Sequence, residues 1–350
     1  MRVSHLLPAA TLAAAQADKA FQLADVGTWF ENLAVRPSGS VLATRMDAPE
    51  VWHIDPKEGT GSVLVTVPSA LSTTGITELT PDVWVFSAAN FSFGEPFGLA
   101  PGSMAVWKVD LSEGDEGAEP ELVARFPDAG FLNGMATWDE KRVLVGDTTS
   151  SAIYLLDVET GEFTTALDGP EVAGVNGIRV HDGAVYAVAT TNTTLYKIPV
   201  TEDAALDGEA EVILQGLGMD DFDVAADGTI YAAVPSRNLV VRISPTARSP
   251  RLPEARAPMT SSAPLRSGSD APRVMRAPST FRRPATALWP PDATKEAASI
   301  TAVKVGEAPA EEPAEEEEEP VEEEPVEEEP EEEAPVEEEE PVEEEPEEED

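Results

Sequence analysis

The chain of 350 residues has no cysteine, only three histidines, and no apolar run of about 18 residues. The lack of cysteine excludes disulfides and thiolate chemistry. His5 lies near the N-terminus, His53 lies on a predicted strand and His181 on a predicted turn, so histidine catalysis is not expected. The sequence also lacks a nucleophile elbow and a phosphate-binding glycine loop. These absences argue against nucleophilic triads, nucleotide cofactors and a membrane span.

Negative charge is abundant and unevenly distributed. The net charge is −44, and residues 301–350 alone hold 28 acidic residues and one lysine. An acidic protein repels phosphate backbones, so we expect no nucleic-acid partner. Residues 307–350 repeat a Glu-Glu-Glu-Pro-Val unit, in which proline prevents a helix and charge repulsion extends the chain. We therefore expect 307–350 to be a disordered tail.

The N-terminus has the pattern of a short secretory signal. The apolar run Leu6–Ala15 is followed by Ala15-Gln16-Ala17, which fits a cleavage site. Asn90 and Asn192 begin glycosylation sequons. We expect residues 1–17 to be a signal peptide and both asparagines to be glycosylation sites of a secreted protein. The alternative is an unprocessed N-terminus and a cytoplasmic protein.

An internal repeat organises residues 20–245. Each copy begins with a polar, a small and an apolar residue, followed by a hairpin turn and an apolar strand. The copies start 43, 59, 43 and 44 residues apart, and the long spacing contains a Gly-, Pro- and Phe-rich insertion at 90–103, which predicts a loop. The leading residues of the five copies are Glu31, Thr74, Asn133, Asn176 and Asp220.

Each copy predicts four short antiparallel strands, the signature of a propeller blade. Third strands recur six times, and the last of them is predicted at Ile300–Val305. Ala20–Asp25 is predicted to supply the fourth strand of the last blade and to close the ring. The fold class is therefore predicted to be all-β, a six-bladed β-propeller spanning residues 18–306.

The repeat breaks at 246–298, where the inner strand of the sixth blade should begin. Residues 246–293 are almost entirely Arg, Pro, Ala, Ser and Thr, and they hold eight of the sixteen arginines and no lysine. One explanation is a disordered basic insertion. The other, which we favour, is a stretch translated out of frame. In the second case the sixth blade is incomplete.

The five leading residues are all polar, whereas the residues two places later are all apolar. In a propeller the innermost strands line a central channel, so these polar side chains are expected to meet there. Two carboxylates and two amides suit a hard cation such as Ca²⁺ or Mg²⁺, or hydrogen bonding to an oxygenated substrate. The alternative is that Asn-Gly and Asp-Asp serve only as turn residues. We call these five residues the polar ring.

The stretches around these positions resemble the fungal branch of the SMP-30/gluconolactonase-like propellers. They are Trp29-Phe30-Glu31-Asn32-Leu33-Ala34-Val35-Arg36, Gly130-Phe131-Leu132-Asn133-Gly134-Met135, Gly174-Val175-Asn176-Gly177-Ile178-Arg179-Val180 and Asp220-Asp221-Phe222. In metal-dependent lactonases of this family a Glu, an Asn and an Asp bind a divalent cation. The matching residues are Glu31, Asn176 and Asp220. Asn133 falls one position away from a further ligand position, so the full metal set is not matched.

The fungal branch includes hetero-Diels-Alderases, which join a quinone methide to a terpene. The resemblance therefore implies a secondary-metabolite enzyme with a partly apolar pocket, a small-molecule substrate, no cofactor and a monomeric state. The catalytic residues would be Glu31, Asn133, Asn176 and Asp220, and the substrate-binding residues would be Thr74, Phe91, Phe93 and Phe97. The alternatives are a lactonase with one Ca or Zn ion at Glu31, Asn176 and Asp220, and a non-catalytic binding propeller.

Overall fold

The computed structural model describes residues 16–237, 239–245, 274–275 and 299–304. Residues 1–15, most of the unusual segment 246–298 and the acidic tail lie outside this range. Apart from two 3-10 helices, Pro170–Val172 and Pro235–Arg237, the regular structure described is all β. No helix in the described ranges has the length and apolar character needed to cross a membrane.

Twenty-four strands form six sheets and one small hairpin. In chain order they are β1 (Gln16–Gln22), β2 (Phe30–Val35), β3 (Val41–Arg45), β4 (Glu50–Asp55), β5 (Thr60–Thr66), β6 (Ser72–Thr80), β7 (Val83–Ala89), β8 (Phe91–Ser92), β9 (Gly98–Leu99), β10 (Ala105–Asp110), β11 (Glu121–Arg125), β12 (Leu132–Thr137), β13 (Arg142–Asp147), β14 (Ala152–Asp157), β15 (Phe163–Asp168), β16 (Val175–His181), β17 (Ala184–Ala189), β18 (Thr194–Pro199), β19 (Glu211–Gln215), β20 (Phe222–Val224), β21 (Ile230–Val234), β22 (Leu239–Ile243), β23 (Val274–Met275) and β24 (Ser299–Lys304).

The first four blades are complete antiparallel meanders. Their strand orders are β2–β3–β4–β5, β6–β7–β10–β11, β12–β13–β14–β15 and β16–β17–β18–β19. The first strands of successive blades, including β20 of the fifth blade, contact one another in sequence order. They are therefore the innermost strands, and the predicted β-propeller is confirmed.

The sixth sheet contains both ends of the described chain. β24 pairs with the N-terminal β1 on one side and with β23 on the other, in the order β1–β24–β23. The predicted closure by the N-terminus is confirmed, but the strand is Gln16–Gln22 and not Ala20–Asp25. The reason is local: a turn at Asp25–Thr28, closed by a hydrogen bond of 2.9 Å from Thr28 Oγ1 to the Asp25 carbonyl, ends the extended segment early.

Two strands of the full six-bladed pattern do not occur among the described residues. The fifth blade has three strands, β20–β21–β22, and lacks an outermost strand. The sixth sheet has second, third and fourth strands and lacks an innermost one. Both positions fall in the chain between residues 245 and 299, which is the segment where the sequence repeat breaks. Within it, only β23 is described.

Apolar cores lie between adjacent blades, and the inner strands approach closely at the ring. A Cβ added to Gly134 would lie 2.1 Å from the carbonyl oxygen of Asn176, and one added to Gly177 would lie 2.2 Å from Oδ1 of Asp221. These distances explain why glycine occupies the second position of the repeat in the third and fourth blades. The largest fully buried side chains, which fill the space between blades, include Trp84, Phe86, Phe126, Leu132 and Met135.

Candidate functional site

The leading residues of the repeat occupy one structural position, a β-bulge at the start of each inner strand. In β2, Glu31 and Asn32 lie opposite a single residue of β3, Thr44. A bulge turns a side chain away from the alternation of the strand, which here places the leading residues at the end of the ring. The equivalent pairs are Thr74–Gly75 opposite Ser87, Asn133–Gly134 opposite Gly146, and Asn176–Gly177 opposite Val188.

In the fifth blade the same position lies just before β20. The backbone N–H of Asp220 donates to the carbonyl of Ala233 at 3.0 Å, and the N–H of Ala233 donates to the carbonyl of Asp221 at 2.8 Å. These bonds hold Asp220 beside the next strand, as in the other blades. The sequence alignment of the five leading residues is thus matched by their backbone geometry.

Thr74 connects blades and is fully buried. Its hydroxyl contacts Oγ of Ser87 at 2.6 Å and donates to the carbonyl of Leu132 at 2.8 Å, while its own carbonyl accepts a hydrogen bond from Thr44 Oγ1. The structure therefore places this expected substrate-binding residue in the contacts that join the first three blades.

Asn176 and Asp220 meet across the boundary between the fourth and fifth blades. Nδ2 of Asn176 donates to Oδ1 of Asp220 at 2.6 Å, and the N–H of Gly177 donates to the Asp220 carbonyl at 3.1 Å. Because the amide nitrogen faces the carboxylate, Oδ1 of Asn176 points elsewhere. That oxygen is buried and has no hydrogen-bond partner within the described residues.

A second amide oxygen of the polar ring, that of Asn133, is also buried and unpaired within the described residues. Asn133 is 5% exposed, and its Oδ1 is buried with no partner in the part of the chain described. Leaving a buried acceptor unpaired costs about 1–3 kcal/mol, so such atoms mark places where a ligand or water would bind. The ring thus carries two buried acceptors, on neighbouring blades, whose hydrogen-bonding capacity is unused within the described residues.

Glu31 is 6% exposed and accepts a hydrogen bond of 2.6 Å at Oε2 from Nε1 of Trp29. The backbone N–H of Trp29 in turn donates to Oδ1 of Asp47 at 2.9 Å. Trp29 and Asp47 therefore orient this carboxylate. The sequence indicated neither role. Trp29 could have been singled out only because it lies in a stretch that resembles known propellers.

Asp147, at the end of β13, is a further residue that the sequence did not indicate. Its carboxylate is fully buried and accepts four backbone N–H groups at 2.8–3.1 Å, from Gly130, Phe131, Thr149 and Ser150. Burial raises the pKa of Asp147, but these hydrogen bonds outweigh it and hold the pKa below its ordinary value. The side chain therefore remains charged at neutral pH.

The insertion at 90–103 forms a short hairpin, β8 and β9, rather than an irregular loop throughout. Residues 91–99, here called the aromatic hairpin, gather three phenylalanines whose ring centroids lie 5.2–6.4 Å apart: Phe91, Phe93 and Phe97. Phe91 also lies 6.0 Å from Phe131, which precedes Asn133 by two residues. The hairpin therefore contacts the segment that carries a member of the polar ring, and Phe93 and Phe97 are exposed there.

The two sequons differ in their surroundings. Nδ2 of Asn192 donates to the carbonyl of Pro170 at 3.0 Å and to the hydroxyl of Tyr196 at 3.3 Å. Asn90 directly precedes the aromatic hairpin, and its backbone N–H donates to Oγ of Ser103 at 3.1 Å. The nitrogen that would carry a glycan is thus engaged at Asn192.

The side-chain oxygens of Glu31, Asn176 and Asp220 can be compared with the ligands that a metal ion requires. No group of three or more His, Cys, Asp or Glu side chains that could hold a metal ion occurs in the described ranges. A divalent cation would therefore have to use amide oxygens as well as carboxylates. The unpaired Oδ1 of Asn176 beside Asp220 is an oxygen donor of that kind and fits a hard cation chemically.

No family model matches the chain. A putative hetero-Diels-Alderase from Sarocladium schorii is 26% identical over 213 residues, which cover 50% of this chain and 51% of that protein. A putative hetero-Diels-Alderase from a Phoma species is 25% identical over 212 residues, covering 50% and 59%. The chain thus spans somewhat more than half the length of the curated relatives it matches.

Among solved structures, a luciferin-regenerating enzyme superposes with a TM-score of 0.55 at 11% identity, over 83% of this chain and 96% of its own. This likeness shows the fold alone. The sequence matches confirm the resemblance to fungal hetero-Diels-Alderases. By fold the chain is a β-propeller, and in sequence it is similar to fungal proteins named putative hetero-Diels-Alderases.

Proposed function

We propose that the chain catalyses a hetero-Diels–Alder cycloaddition between an oxygen-bearing diene of the quinone methide type and an alkene. The structural observation that carries the proposal is the start of β12 and the residue before it: Phe131 contacts the aromatic hairpin, and Asn133 has an unpaired amide oxygen. Apolar and hydrogen-bonding groups thus meet within three residues. The names of the two relatives support the reaction type.

Such a reaction makes few chemical demands. One carbon–oxygen and one carbon–carbon bond form, no atom is lost and no redox partner is needed. Catalysis therefore depends on holding the two reactants at attack distance, which can supply about 7–11 kcal/mol of the barrier in favourable cases, and on polarising the carbonyl of the diene. We propose that the enzyme needs no cofactor and acts as a monomer.

The polar ring divides into distinct roles. Asn176 donates through Nδ2 to Asp220. We assign to Nδ2 of Asn133 the hydrogen bond to the carbonyl oxygen of the diene, while its unpaired Oδ1, an acceptor, takes a hydrogen bond from a hydroxyl group of the diene precursor. Glu31 and Asp220 are carboxylates that can accept a proton or a hydroxyl hydrogen when water is lost from a diene precursor. The exposed rings of Phe93 and Phe97 provide the apolar surface for the alkene.

The test is a rate comparison with purified full-length chain. A quinone methide is generated from a 2-(hydroxymethyl)phenol in the presence of a trisubstituted alkene, and adducts are quantified with and without protein. We expect faster formation and one dominant stereoisomer, both lost in Asn133→Ala. An adduct rate and isomer ratio equal to the protein-free reaction would overturn the proposal.

A divalent-metal lactonase is the second candidate, favoured by the unpaired Oδ1 of Asn176 beside the carboxylate of Asp220. A bound cation would polarise the lactone carbonyl, and Glu31, Asn176 and Asp220 would hold it. Metal analysis of purified protein and hydrolysis of a simple γ-lactone with added Ca²⁺ or Zn²⁺ test this. Stoichiometric metal, with hydrolysis lost on chelation, would favour the lactonase; a ligand that binds and returns unchanged would favour a binding propeller.

A further inference from the structure

The turn between β13 and β14 lies next to the polar ring and is held in place by several hydrogen bonds. Residues 147–150 form this turn, here called the bracket turn. The Asp147 carboxylate binds backbone N–H groups on two sides. Gly130 and Phe131 donate from the segment before β12, at 2.8 and 2.9 Å, while Thr149 and Ser150 donate from the bracket turn itself, at 3.1 and 3.0 Å. One buried charge thus ties the two segments together.

Thr148 extends these contacts to the next blade. Its backbone N–H donates to the carbonyl of Phe131 at 2.9 Å, and its hydroxyl donates to the carbonyl of Val175 at 2.6 Å. Val175 directly precedes Asn176, and Phe131 precedes Asn133 by two residues. The bracket turn therefore holds the backbone before Asn133 and Asn176, the two ring residues whose amide oxygen is unpaired in the described part of the chain.

The fit between these segments leaves little room for adjustment. A Cβ added to Gly130 would lie 2.4 Å from Cβ of Thr149, so the Thr149 side chain packs directly against the backbone of Gly130. The ring of Phe131 also contacts Phe91 of the aromatic hairpin. Displacing the bracket turn would therefore move the aromatic contact and the two amides together.

We propose that Asp147 and Thr148 are positioning residues of the candidate site, which fix Asn133 and Asn176 relative to each other and to the aromatic hairpin. Neither side chain is placed among the reacting groups; both act through the backbone of their neighbours. The inference rests on the proposed use of these amides in the function above. Its test can nevertheless be made without any activity.

The primary test follows the side-chain amide resonances of Asn133 and Asn176 in ¹⁵N-labelled full-length protein, assigned by their loss in the alanine variants. Thr148→Val keeps the shape of the side chain and removes the donor to Val175. We expect it to shift the Asn176 amide resonances by more than their linewidth, and Thr148→Ser to restore them. Asp147→Asn keeps the shape and removes the charge, and we expect it to shift those of Asn133.

Asp157→Asn is the matched control. Asp157 also accepts two backbone N–H groups of a turn, those of Glu159 and Thr160, but it lies at the other end of the same blade. It should leave both amides unchanged. A merely structural role for the bracket turn would lower thermal stability in Thr148→Val without moving the amide resonances. That result, or equal shifts in Asp157→Asn, would overturn the proposal.

A kinetic readout separates this inference from the proposed function. If the cycloaddition is observed, Thr148→Val should lower kcat at least about tenfold with a smaller change in KM, because misplaced groups act on the transition state. Thr148→Ser should recover it. If the amide resonances shift but no cycloaddition is observed, the proposed function is wrong and the positioning role stands. If cycloaddition is observed but Thr148→Val shifts no amide resonance and keeps its kcat, the positioning role is wrong and the proposed function stands. If Asp147→Asn does not fold, the comparison of Thr148→Val with Thr148→Ser still tests the proposal.

Discussion

Asn176 donates its side-chain N–H to the carboxylate of Asp220 across the boundary between two blades, with 2.6 Å between Nδ2 and Oδ1. These residues lie 44 positions apart, one repeat of the fold. The contact orients an amide whose oxygen would otherwise be free to turn, and it leaves that oxygen unpaired. The repeat thus creates a site that no single blade contains, because Asn176 is oriented by Asp220 of the next blade.

The first prediction concerns this pair. Asn176→Ala and Asp220→Ala should each lower activity on the order of a hundredfold without unfolding the ring, because they remove or misorient a group at the reacting centre. The double variant should be little worse than either single one, since the two side chains act together. Turnover by purified variants, with circular dichroism to confirm folding, measures this.

Asp223→Ala provides the control for that pair. Asp223 lies three residues beyond Asp220 and is exposed, with Arg179 at 3.8 Å as its charged neighbour. Its removal should leave turnover unchanged. Unchanged turnover in Asn176→Ala and Asp220→Ala as well would exclude both residues from the site.

The second prediction concerns the close approach of the inner strands. Gly134→Ala should destabilise the fold by about 1–3 kcal/mol, because its new Cβ would meet the backbone carbonyl of Asn176 at 2.1 Å and the strands would have to separate. Urea unfolding measures the loss. Gly94→Ala, where the nearest atom is 3.5 Å away, is the control and should change stability little. Equal stability of both variants would contradict the packing argument.

The sequence predicted the architecture well because blades are local structures. The spacing of the leading residues located the bulges of β2, β6, β12 and β16, and the last third strand, predicted at Ile300–Val305, is observed at Ser299–Lys304. Patterns in one strand and its hairpin partner determine these features. The predicted N-terminal strand was misplaced because a turn hydrogen bond at Thr28, invisible to apolar alternation, ends β1 early.

The site was harder to predict because its details depend on contacts between segments distant in sequence. Thr74 has the same position in the repeat as Asn133, but a serine of the adjacent strand and a carbonyl of the next blade occupy its hydroxyl. Asp147 falls outside the repeat pattern, and its role follows only from where the segment before β12 lies. The sequence therefore predicted which residue types occupy the leading positions, but not which of their polar atoms are already hydrogen-bonded within the protein.

The third prediction tests the aromatic hairpin. Phe97 is 52% exposed, so Phe97→Ala should cost little stability but should lower kcat/KM by weakening contact with an apolar substrate. Phe163→Ala is the matched control: Phe163 is 38% exposed on an outer strand and stacks on Phe126 at 3.9 Å. It should lower stability and leave kcat/KM unchanged. Kinetic and thermal measurements on both variants distinguish substrate contact from packing.

The fourth prediction concerns glycosylation in a secretory host. Addition of a glycan to Asn192 would remove an N–H that now donates to Pro170 and Tyr196, whereas Asn90 directly precedes the aromatic hairpin. We expect any glycan to be attached at Asn90. Mass spectrometry before and after deglycosylation should show a mass difference that Asn90→Gln removes and Asn192→Gln does not. A glycan found on Asn192 of folded protein would contradict this.

The last prediction uses the charge of Asp147. Its pKa is depressed in the folded protein from an ordinary value of 3.8, because backbone hydrogen bonds to the carboxylate outweigh the effect of burial. A depressed folded pKa means that the charged form stabilises the fold at pH values above 3.8. This contribution is lost as the pH falls through the folded pKa, where the carboxylate becomes protonated.

Wild-type chain should therefore be more stable than Asp147→Asn near pH 7, and the difference in unfolding free energy should shrink progressively as the pH falls below about 4. Urea unfolding of both proteins from pH 7 to pH 3 measures it. Other aspartates with depressed pKa values, such as Asp139, are present in both proteins and cancel in the difference. A difference that stays constant over this range would mean that Asp147 stabilises the segment before β12 by shape and not by charge.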